Sequence, residues 1–262
     1  GSANALLGII NDILDFSKME ARKFTIELVD CSLHQTIAEA MSPLSRLVDP
    51  KNVEFLTCVE PGVPDWVYSA PGRIRQILTN LVGNAIKFTQ KGEVLLHVSV
   101  QEKQEQFDVV DFVVKDTGIG IEESVIKKLF NAFSQADGST TRKFGGTGLG
   151  LAISRELARL MEGDIFVTSK LGEGSTFTLR LPLKKAIAQH EEDSAKDYPP
   201  DWLKGKKLLI VDDNATNREI LRLYLDGTGA DPVEADSGDA ALMTLLGIGC
   251  KKETFDFALL DY

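Results

Sequence analysis

The sequence predicts an α+β two-layer sandwich followed by the start of a doubly wound α/β unit. In the first part, amphipathic helical stretches flank two neighbouring runs of apolar–polar alternation, which indicate an antiparallel strand pair with one buried face. In the second part, an apolar strand, an amphipathic helix and further short strands follow the strand–helix–strand order of a parallel sheet. The length of 262 residues leaves room for two such units.

The composition narrows the class of protein. Hydrophobic residues make up 43% and charged residues 26% of the chain, as in soluble globular proteins. The formal net charge of −10 argues against nucleic acid or an anionic membrane surface as the main partner. No apolar run approaches the ~18–20 residues of a membrane span, so we expect a cytoplasmic chain, with any inner-membrane anchor of a longer parent lying upstream. Three scattered cysteines and three scattered histidines argue against a disulfide framework or a zinc site.

The elements of the first unit follow from periodicity. Ser32 followed by Gln35 resembles a capping box at a helix start, and Pro71 suits the first turn of a helix with a clear apolar stripe. Helices are predicted over 3–20, from Leu33 to Val48, from Pro71 through Ile86, near 122–131 and over 147–161. Strands are predicted over 53–59, 93–100, 107–115, 164–169 and 175–182.

A charged, proline-containing stretch from 184 to 206 has almost no periodicity and is predicted to be a linker. Beyond it, strands are predicted over 207–211, 231–235 and 255–260, and helices over 218–225 and 237–247. A sheet that stops after its third strand has an uncovered edge, so we expect the chain to be a fragment of a longer protein.

Three polar side chains recur on one face of the helix that opens at Pro71. Asn80 and Asn84 are four residues apart and Lys87 is three further on, so helical geometry stacks them. An amide oxygen can complete the water-rich shell of Mg²⁺, and an ammonium group can pair with a phosphate. An ordinary polar helix surface has the same pattern, so this cluster alone does not decide the function.

Glycine-containing turns supply three further clusters. Asp116 ends a strand and precedes Gly118 and Gly120, which would let the backbone bring a flat ligand to a carboxylate able to accept from an amine. The run 144–151 exposes backbone N–H groups at a helix start, an arrangement suited to an oligophosphate. The segment 172–176 bounds the last strand pair, where a simple hairpin turn explains it equally well.

The order of these clusters carries more information than any one of them. Asn-x-x-x-Asn-x-x-Lys, Asp-x-Gly-x-Gly, Phe130-x-x-Phe133, Gly-x-Gly-x-Gly and Gly-x-Gly-Ser occur in that sequence and resemble the asparagine, phenylalanine and glycine boxes of the sensor histidine kinase ATPase domain. Residues 11–20 look like the second helix of that family's dimerisation domain. The resemblance implies a Bergerat-type sandwich that binds Mg-ATP and passes the γ-phosphoryl group to a histidine.

The resemblance also implies a role for each matching residue. Asn84 would hold Mg²⁺, Asn80 and Lys87 would help to place the phosphates, and residues 134–144 would form a mobile lid. Asp116 would bind the adenine amine, and Gly145–Gly150 would cradle the phosphates. The full nucleotide-binding set is Asn80, Asn84, Lys87, Asp116, Gly118, Gly120, Arg142, Lys143, Gly145, Gly146, Thr147, Gly148, Leu149, Gly150 and Thr176.

Residues 207–262 resemble the first half of a response-regulator receiver. Asp212 and Asp213 follow the first strand and Asp261 follows the third, so in a parallel sheet the three carboxylates are expected to converge. Like charges so close favour a bound cation, and Mg²⁺ is the expected one. The family analogy makes Asp261 the phosphoacceptor of a receiver truncated in this sequence.

The resemblance divides the chain into a dimerisation-helix remnant (1–24), an ATP-binding catalytic domain (25–183), a linker (184–206) and half a receiver (207–262). None of His34, His97 and His190 has the Ser-His-Glu type context of the family's acceptor, so no catalytic histidine is predicted in this chain. The implied partners are a second copy of the full-length protein, its own or a partner's dimerisation domain, and a downstream phosphotransfer or response-regulator protein.

Two other classes of function remain open at this stage. An ATP-gated conformational ATPase of the chaperone, topoisomerase or mismatch-repair type would share the same nucleotide site. A non-catalytic regulatory module could keep the fold without the activity. ATP hydrolysis without any phosphohistidine would favour the first alternative, and absence of ATP binding would favour the second.

Overall fold

The computed structural model describes residues 10, 13–15, 17–19, 21, 24–48, 52–132, 148–188, 202–247 and 254–261. The chain divides into two compact units, Gly1–His190 and Glu191–Tyr262. Within the described ranges, no helix combines the length and apolar character needed to cross a membrane.

The first unit is built on a mixed seven-stranded sheet. Its strands are β1 (Val29–Ser32), β2 (Asn52–Val59), β3 (Trp66–Ser69), β4 (Lys91–Lys103), β5 (Phe107–Asp116), β6 (Asp164–Lys170) and β7 (Gly174–Lys185). They are ordered β1-β3-β7-β5-β4-β2, with β6 also paired to β7. The central strands β4, β5 and β7 run antiparallel to their neighbours in this group, which confirms the predicted pairing of the two alternating runs.

Helices cover one face of this sheet. They are α1 (Leu33–Val48), α2 (Pro71–Phe88), the short α3 (Glu123–Ile126) and α4 (Gly150–Leu160). The inward-facing residues of β4 and β5, such as Val98 and Phe112, are fully buried against the apolar stripe of α2 and the buried face of α4. Helices on one side of a largely antiparallel sheet give the predicted two-layer α+β sandwich.

Several details differ from the sequence-based prediction. The four-residue strands β1 and β3 were not predicted, and β2 pairs in parallel with β4, although only antiparallel pairing was expected in this unit. Strand β7 continues to Lys185, because Lys184 and Lys185 pair with β3, so the expected linker start at 184 is two residues too early. The helix expected near 122–131 is confined to α3 and followed by turns.

The described part of the N-terminal segment is helical and contacts the first unit. Met19 is buried in its core, and the Asp15 carboxylate accepts a 3.3 Å hydrogen bond from Arg73 on α2. Ile10, Ile13 and Leu14 are 44–50% exposed. The segment therefore docks through one side and leaves part of its apolar stripe open to solvent.

The second unit is a parallel three-stranded sheet with helices. It comprises β8 (Lys207–Val211), α5 (Ala215–Leu225), β9 (Asp231–Ala235), α6 (Gly238–Leu246) and β10 (Phe257–Leu260), with strand order β10-β8-β9. Helix α5 begins three residues earlier than predicted because the Asn214 side chain accepts hydrogen bonds from the backbone N–H groups of Thr216 and Asn217 and caps it. The strand order places the ends of β8 and β10 side by side.

Candidate functional site

Helix α2 carries two amide side chains that contact each other. Nδ2 of Asn84 donates to Oδ1 of Asn80 at 3.4 Å, as expected for residues one turn apart. Nδ2 of Asn80 in turn donates to Oγ of Ser154 on α4 at 2.8 Å. The amides are half-buried between two helices, so this cluster is more than an ordinary exposed helix surface.

The first residue of α4 packs directly against Asn80. A Cβ atom at Gly150 would lie 2.6 Å from Oδ1 of Asn80, so only glycine permits this approach without a shift. The preceding Leu149 is buried and Gly148 is partly buried. The amide pair thus lies at the N-terminus of α4, and the N-terminus of a helix favours an anion through its dipole and its first-turn backbone N–H groups.

Asp116 is the second fixed polar group of this region. It ends β5 and is only 5% exposed, and its Oδ1 accepts a 2.8 Å hydrogen bond from the backbone N–H of Gly118. Burial raises the pKa of the Asp116 carboxyl, although hydrogen bonds from the backbone N–H groups of Gly118 and Ser175 act in the opposite direction. Backbone donors therefore hold this carboxylate in one orientation within a partly desolvated pocket.

The loop after Asp116 lies against the end of α2. The backbone N–H of Ile119 donates to the carbonyl oxygen of Phe88 at 3.4 Å, and Phe88 lies one turn beyond Asn84. Burial lowers the pKa of Lys87, the residue next to Phe88, because its ammonium group is partly desolvated. The structure thus places the Asp116 loop against the C-terminal end of α2, the end nearer to Asn84 and Lys87.

Gly120, Gly174 and Thr176 lie at the same end of the sheet as Asp116. A Cβ at Gly120 would lie 2.0 Å from the carbonyl oxygen of Lys170, and one at Gly174 would lie 1.9 Å from that of Asp116. Gly174 also has a φ of +101°, which side chains rarely allow. Thr176 is half-buried on β7 opposite Lys115. Gly174 and Ser175 therefore pack directly against Asp116, a contact that a simple surface hairpin would not require.

Two contacts of this region were not found from the sequence. Ser154 is a polar residue on the otherwise apolar buried face of α4. A serine at an apolar position of the helix is the feature of the sequence that could have indicated a buried polar contact. The Arg155 guanidinium lies 4.6 Å from the centre of the Phe130 ring, which joins the phenylalanine box to α4.

Five predicted site residues lie outside the described residues: Arg142, Lys143, Gly145, Gly146 and Thr147.

The second unit brings its three predicted carboxylates together. Ligand atoms of Asp212, Asp213 and Asp261 all lie within 4.8 Å of one another at the ends of β8 and β10. Asp212 is buried and accepts a 2.8 Å hydrogen bond from the backbone N–H of Asn214, while Asp213 and Asp261 are exposed. Carboxylate oxygens this close are a donor set that suits Mg²⁺, since a divalent cation offsets their repulsion.

Comparison with known proteins finds relatives along almost the whole chain. Residues 69–185, which carry the α2 amides, Asp116 and α4, match the family described as histidine kinase-, DNA gyrase B- and HSP90-like ATPases. The chain is 36% identical over 259 residues to the sensor histidine kinase GacS of Pseudomonas protegens. It is 44% identical over 252 residues to the signal transduction histidine-protein kinase BarA of Escherichia coli. Residues 69–185 thus form an ATPase domain of this family, and the chain is similar to sensor histidine kinases over almost its whole length.

These histidine kinase relatives are much longer than this chain. The matches cover 99% of the chain but 28% of GacS, and 94% of the chain but 27% of BarA. Among solved structures, full-length ShkA in complex with AMPPNP is 30% identical, with a TM-score of 0.74 over 92% of this chain and 48% of that one. The Acinetobacter baumannii histidine kinase AdeS, at 20% identity and a TM-score of 0.55, shares the fold.

Proposed function

We propose that the first unit binds Mg-ATP as the nucleotide site of a histidine kinase. The observation that carries this proposal is the contact between the Asp116 loop and the end of α2, one turn beyond the Asn80–Asn84 amide pair. A buried carboxylate, two amides, a partly buried ammonium and a helix N-terminus supply groups for the base, the metal and the phosphates of one nucleotide.

Each group then has a role that suits its chemistry. Asp116 would accept a hydrogen bond from the adenine amine, and the Asn84 amide oxygen would ligate Mg²⁺. Asn80 and Lys87 would place the phosphates, and the pKa of Lys87, lowered by burial, would rise again beside an anion. Backbone at Gly118, Gly120 and Gly148–Gly150, together with Thr176, would complete the pocket. Arg142, Lys143 and the segment from Gly145 to Thr147 are proposed as lid and phosphate contacts.

We propose further that the longer protein transfers the γ-phosphoryl group of ATP to a histidine and then to a receiver aspartate. In this chain the receiver would be residues 207–262, with Asp261 as the phosphoacceptor and Mg²⁺ held by Asp212, Asp213 and Asp261. Residues 1–24 would belong to the dimerisation domain and 25–185 to the catalytic domain, with the linker following from 186 to 206. The partners would be a second protomer, a dimerisation domain and a downstream phosphotransfer or response-regulator protein, in the cytoplasm.

The two alternative functions are less well supported. The match to the histidine kinase GacS, at 36% identity over 259 residues, extends over both units, and the second unit carries the acidic cluster. A conformational ATPase has no use for that cluster. A non-catalytic module would not require the buried carboxylate, the paired amides and the close-packed glycines of the proposed nucleotide site.

Calorimetric titration with a non-hydrolysable ATP analogue tests the nucleotide site. We expect Asn84→Ala to weaken binding mainly when Mg²⁺ is present, because the variant loses the proposed metal ligand but keeps Asp116. Thr79→Ala, an exposed substitution on the same helix, is the matched control and should leave affinity unchanged. Equal affinity of the wild type and Asn84→Ala at every Mg²⁺ concentration would contradict the site.

A further inference from the structure

Helix α4 buries one polar side chain among apolar ones. Its buried residues are Ile153, Ser154, Leu157 and Ala158, and Ser154 is 2% exposed. Its Oγ accepts the 2.8 Å hydrogen bond from Nδ2 of Asn80. A buried hydroxyl is costly unless it is hydrogen-bonded, so this contact accounts for a serine at an otherwise apolar position.

In the structure this contact is made by the nitrogen end of the Asn80 amide. An asparagine amide donates through nitrogen and accepts through oxygen, so its two ends are not equivalent. With Nδ2 committed to Ser154, Oδ1 lies against Gly150, where a Cβ would be only 2.6 Å away. Gly150 is the first residue of α4, and the positive end of a helix favours an oxygen over an amide nitrogen. The start of α4 therefore favours the same Asn80 orientation that the contact with Ser154 shows.

The orientation of the Asn80 amide in turn favours one orientation of the Asn84 amide. Because Oδ1 of Asn80 faces it, Asn84 donates through Nδ2 at 3.4 Å. Its own Oδ1 accepts no hydrogen bond from any residue that the structure describes. An oxygen is the end of an amide that a hard cation such as Mg²⁺ accepts as a ligand. If Asn80 were reversed, its nitrogen would face Asn84 and favour the reversed Asn84 amide.

We propose that Ser154 is a positioning residue that sets the polarity of the Asn80–Asn84 pair and thereby presents the Asn84 oxygen to the nucleotide-bound metal. The inference rests on the proposed Mg-ATP site and names a residue of α4 that acts on that site without touching the ligand. It predicts that Ser154 acts mainly on the contribution of Mg²⁺ to nucleotide affinity, and that the affinity for metal-free nucleotide changes far less.

The test compares nucleotide affinity with and without metal. A non-hydrolysable ATP analogue is titrated into the 262-residue chain by calorimetry, once in saturating Mg²⁺ and once in EDTA, and the ratio of the two affinities is the metal enhancement. Ser154→Ala should reduce this ratio about five- to tenfold, the usual effect of losing one orienting hydrogen bond. The affinity in EDTA should change less than about twofold. Ser99→Ala, a buried serine on β4, is the matched control for loss of a hydroxyl.

A double substitution separates positioning from general structural damage. In an Asn84→Ala background, Ser154→Ala should change the metal enhancement less than about twofold, because the group that it orients is gone. An undiminished enhancement in Ser154→Ala, or an equal loss of affinity with and without Mg²⁺, would overturn the assignment of Ser154 while leaving the nucleotide site intact. A wild-type chain that binds no nucleotide at all would overturn the proposed function itself, and this inference with it.

Discussion

Nε of Arg155 donates a 2.8 Å hydrogen bond to Oδ1 of Asp164, while Nη2 of the same guanidinium reaches Oδ2 at 3.2 Å. This two-point contact ties α4 to β6, the strand that follows it. The other face of the Arg155 side chain covers the Phe130 ring. One residue therefore connects a helix of the proposed nucleotide site, a sheet strand and the phenylalanine box.

We expect Arg155→Met to lower the free energy of unfolding by about 1–2 kcal/mol at pH 7, a charge-assisted pair of this burial being worth roughly that much. The hydrogen bond from Arg155 lowers the pKa of Asp164 below its ordinary value. The pair therefore stabilises the fold above the unfolded-state pKa of Asp, and this contribution is lost as the pH falls through the lowered folded-state pKa. Urea unfolding at pH 7 and at pH 3 measures the difference.

Arg159→Met serves as the control. Arg159 also approaches Asp164, but at 3.6 Å and with a half-exposed side chain, so its loss should change the free energy of unfolding by less than about 0.5 kcal/mol. A difference between the wild type and Arg155→Met that is as large at pH 3 as at pH 7 would show that the ion pair is not its cause.

Asp116→Asn should separate affinity from stability. Losing a charged acceptor for the base is expected to weaken nucleotide binding about 10–100-fold. Because burial raises the pKa of Asp116, the folded protein binds the proton more tightly, and stability falls as the pH rises through the interval between the ordinary and the raised pKa. Removing the ionisable group should therefore leave the melting temperature at pH 7 unchanged or higher.

Asp111→Asn, five residues earlier on β5, should give the opposite result. Asp111 is buried and binds Arg180 through two 2.7 Å hydrogen bonds. Its substitution should cost about 1–3 kcal/mol of stability without changing nucleotide affinity. Calorimetric titration gives the nucleotide affinity of both variants, and thermal unfolding gives their stability. A fall in the melting temperature of Asp116→Asn would contradict the prediction for Asp116.

Incubation with γ-labelled ATP should leave no acid-labile phosphate on this chain. His34 Nδ1 lies 2.9 Å from Oδ1 of Asp65, and His97 Nε2 lies 2.8 Å from Oε1 of Glu60, so each ring is held by a carboxylate. Phosphoryl transfer requires an imidazole nitrogen aligned with the γ-phosphate. The third histidine, His190, lies outside the described residues. Label mapped by proteolysis to any of the three would refute the prediction, and a His34→Gln, His97→Gln double variant gives the background.

The acidic cluster of the second unit should respond to Mg²⁺. We expect a saturable change in Trp202 fluorescence, because Trp202 packs edge-on against Phe257 of β10, whose far end carries Asp261. The measurement uses a Trp66→Phe background so that a single tryptophan reports. Asp213→Asn should weaken the response severalfold, since it removes one of three converging carboxylates. Asp239→Asn, on α6 and outside the cluster, should leave the titration unchanged.

Much of the architecture could be predicted because the long helices and strands have a regular spacing of apolar residues. The apolar stripe of α2 and the apolar–polar alternation of β4 and β5 each extend over many residues. The buried faces of these elements can therefore be predicted from the sequence. Strands β1 and β3 have four residues each, too few for an alternation to stand out. The parallel pairing of β2 with β4 is a long-range choice that no local pattern specifies.

The candidate site shows the same division. Asn80 and Asn84 could be paired from their spacing alone, and the three aspartates from the rule that parallel strands end at one edge. Ser154 could not be matched to Asn80, because 74 residues separate them and only the packing of α4 on α2 brings them together. Spacing predicts contacts within an element, whereas contacts between elements depend on the fold.

Gly172 and Gly174 are two residues apart and share a left-handed backbone, yet they differ in what surrounds them. A Cβ at Gly172 would meet nothing within 4 Å, whereas one at Gly174 would collide with the Asp116 carbonyl oxygen. In a saturation library, position 172 should therefore rank amino acids by their tolerance of a positive φ, with asparagine and aspartate the least harmful. Position 174 should reject asparagine as firmly as valine. The two glycines of this short motif are thus required for different reasons. Gly172 is needed for its positive φ, and Gly174 is needed because there is no space for a side chain.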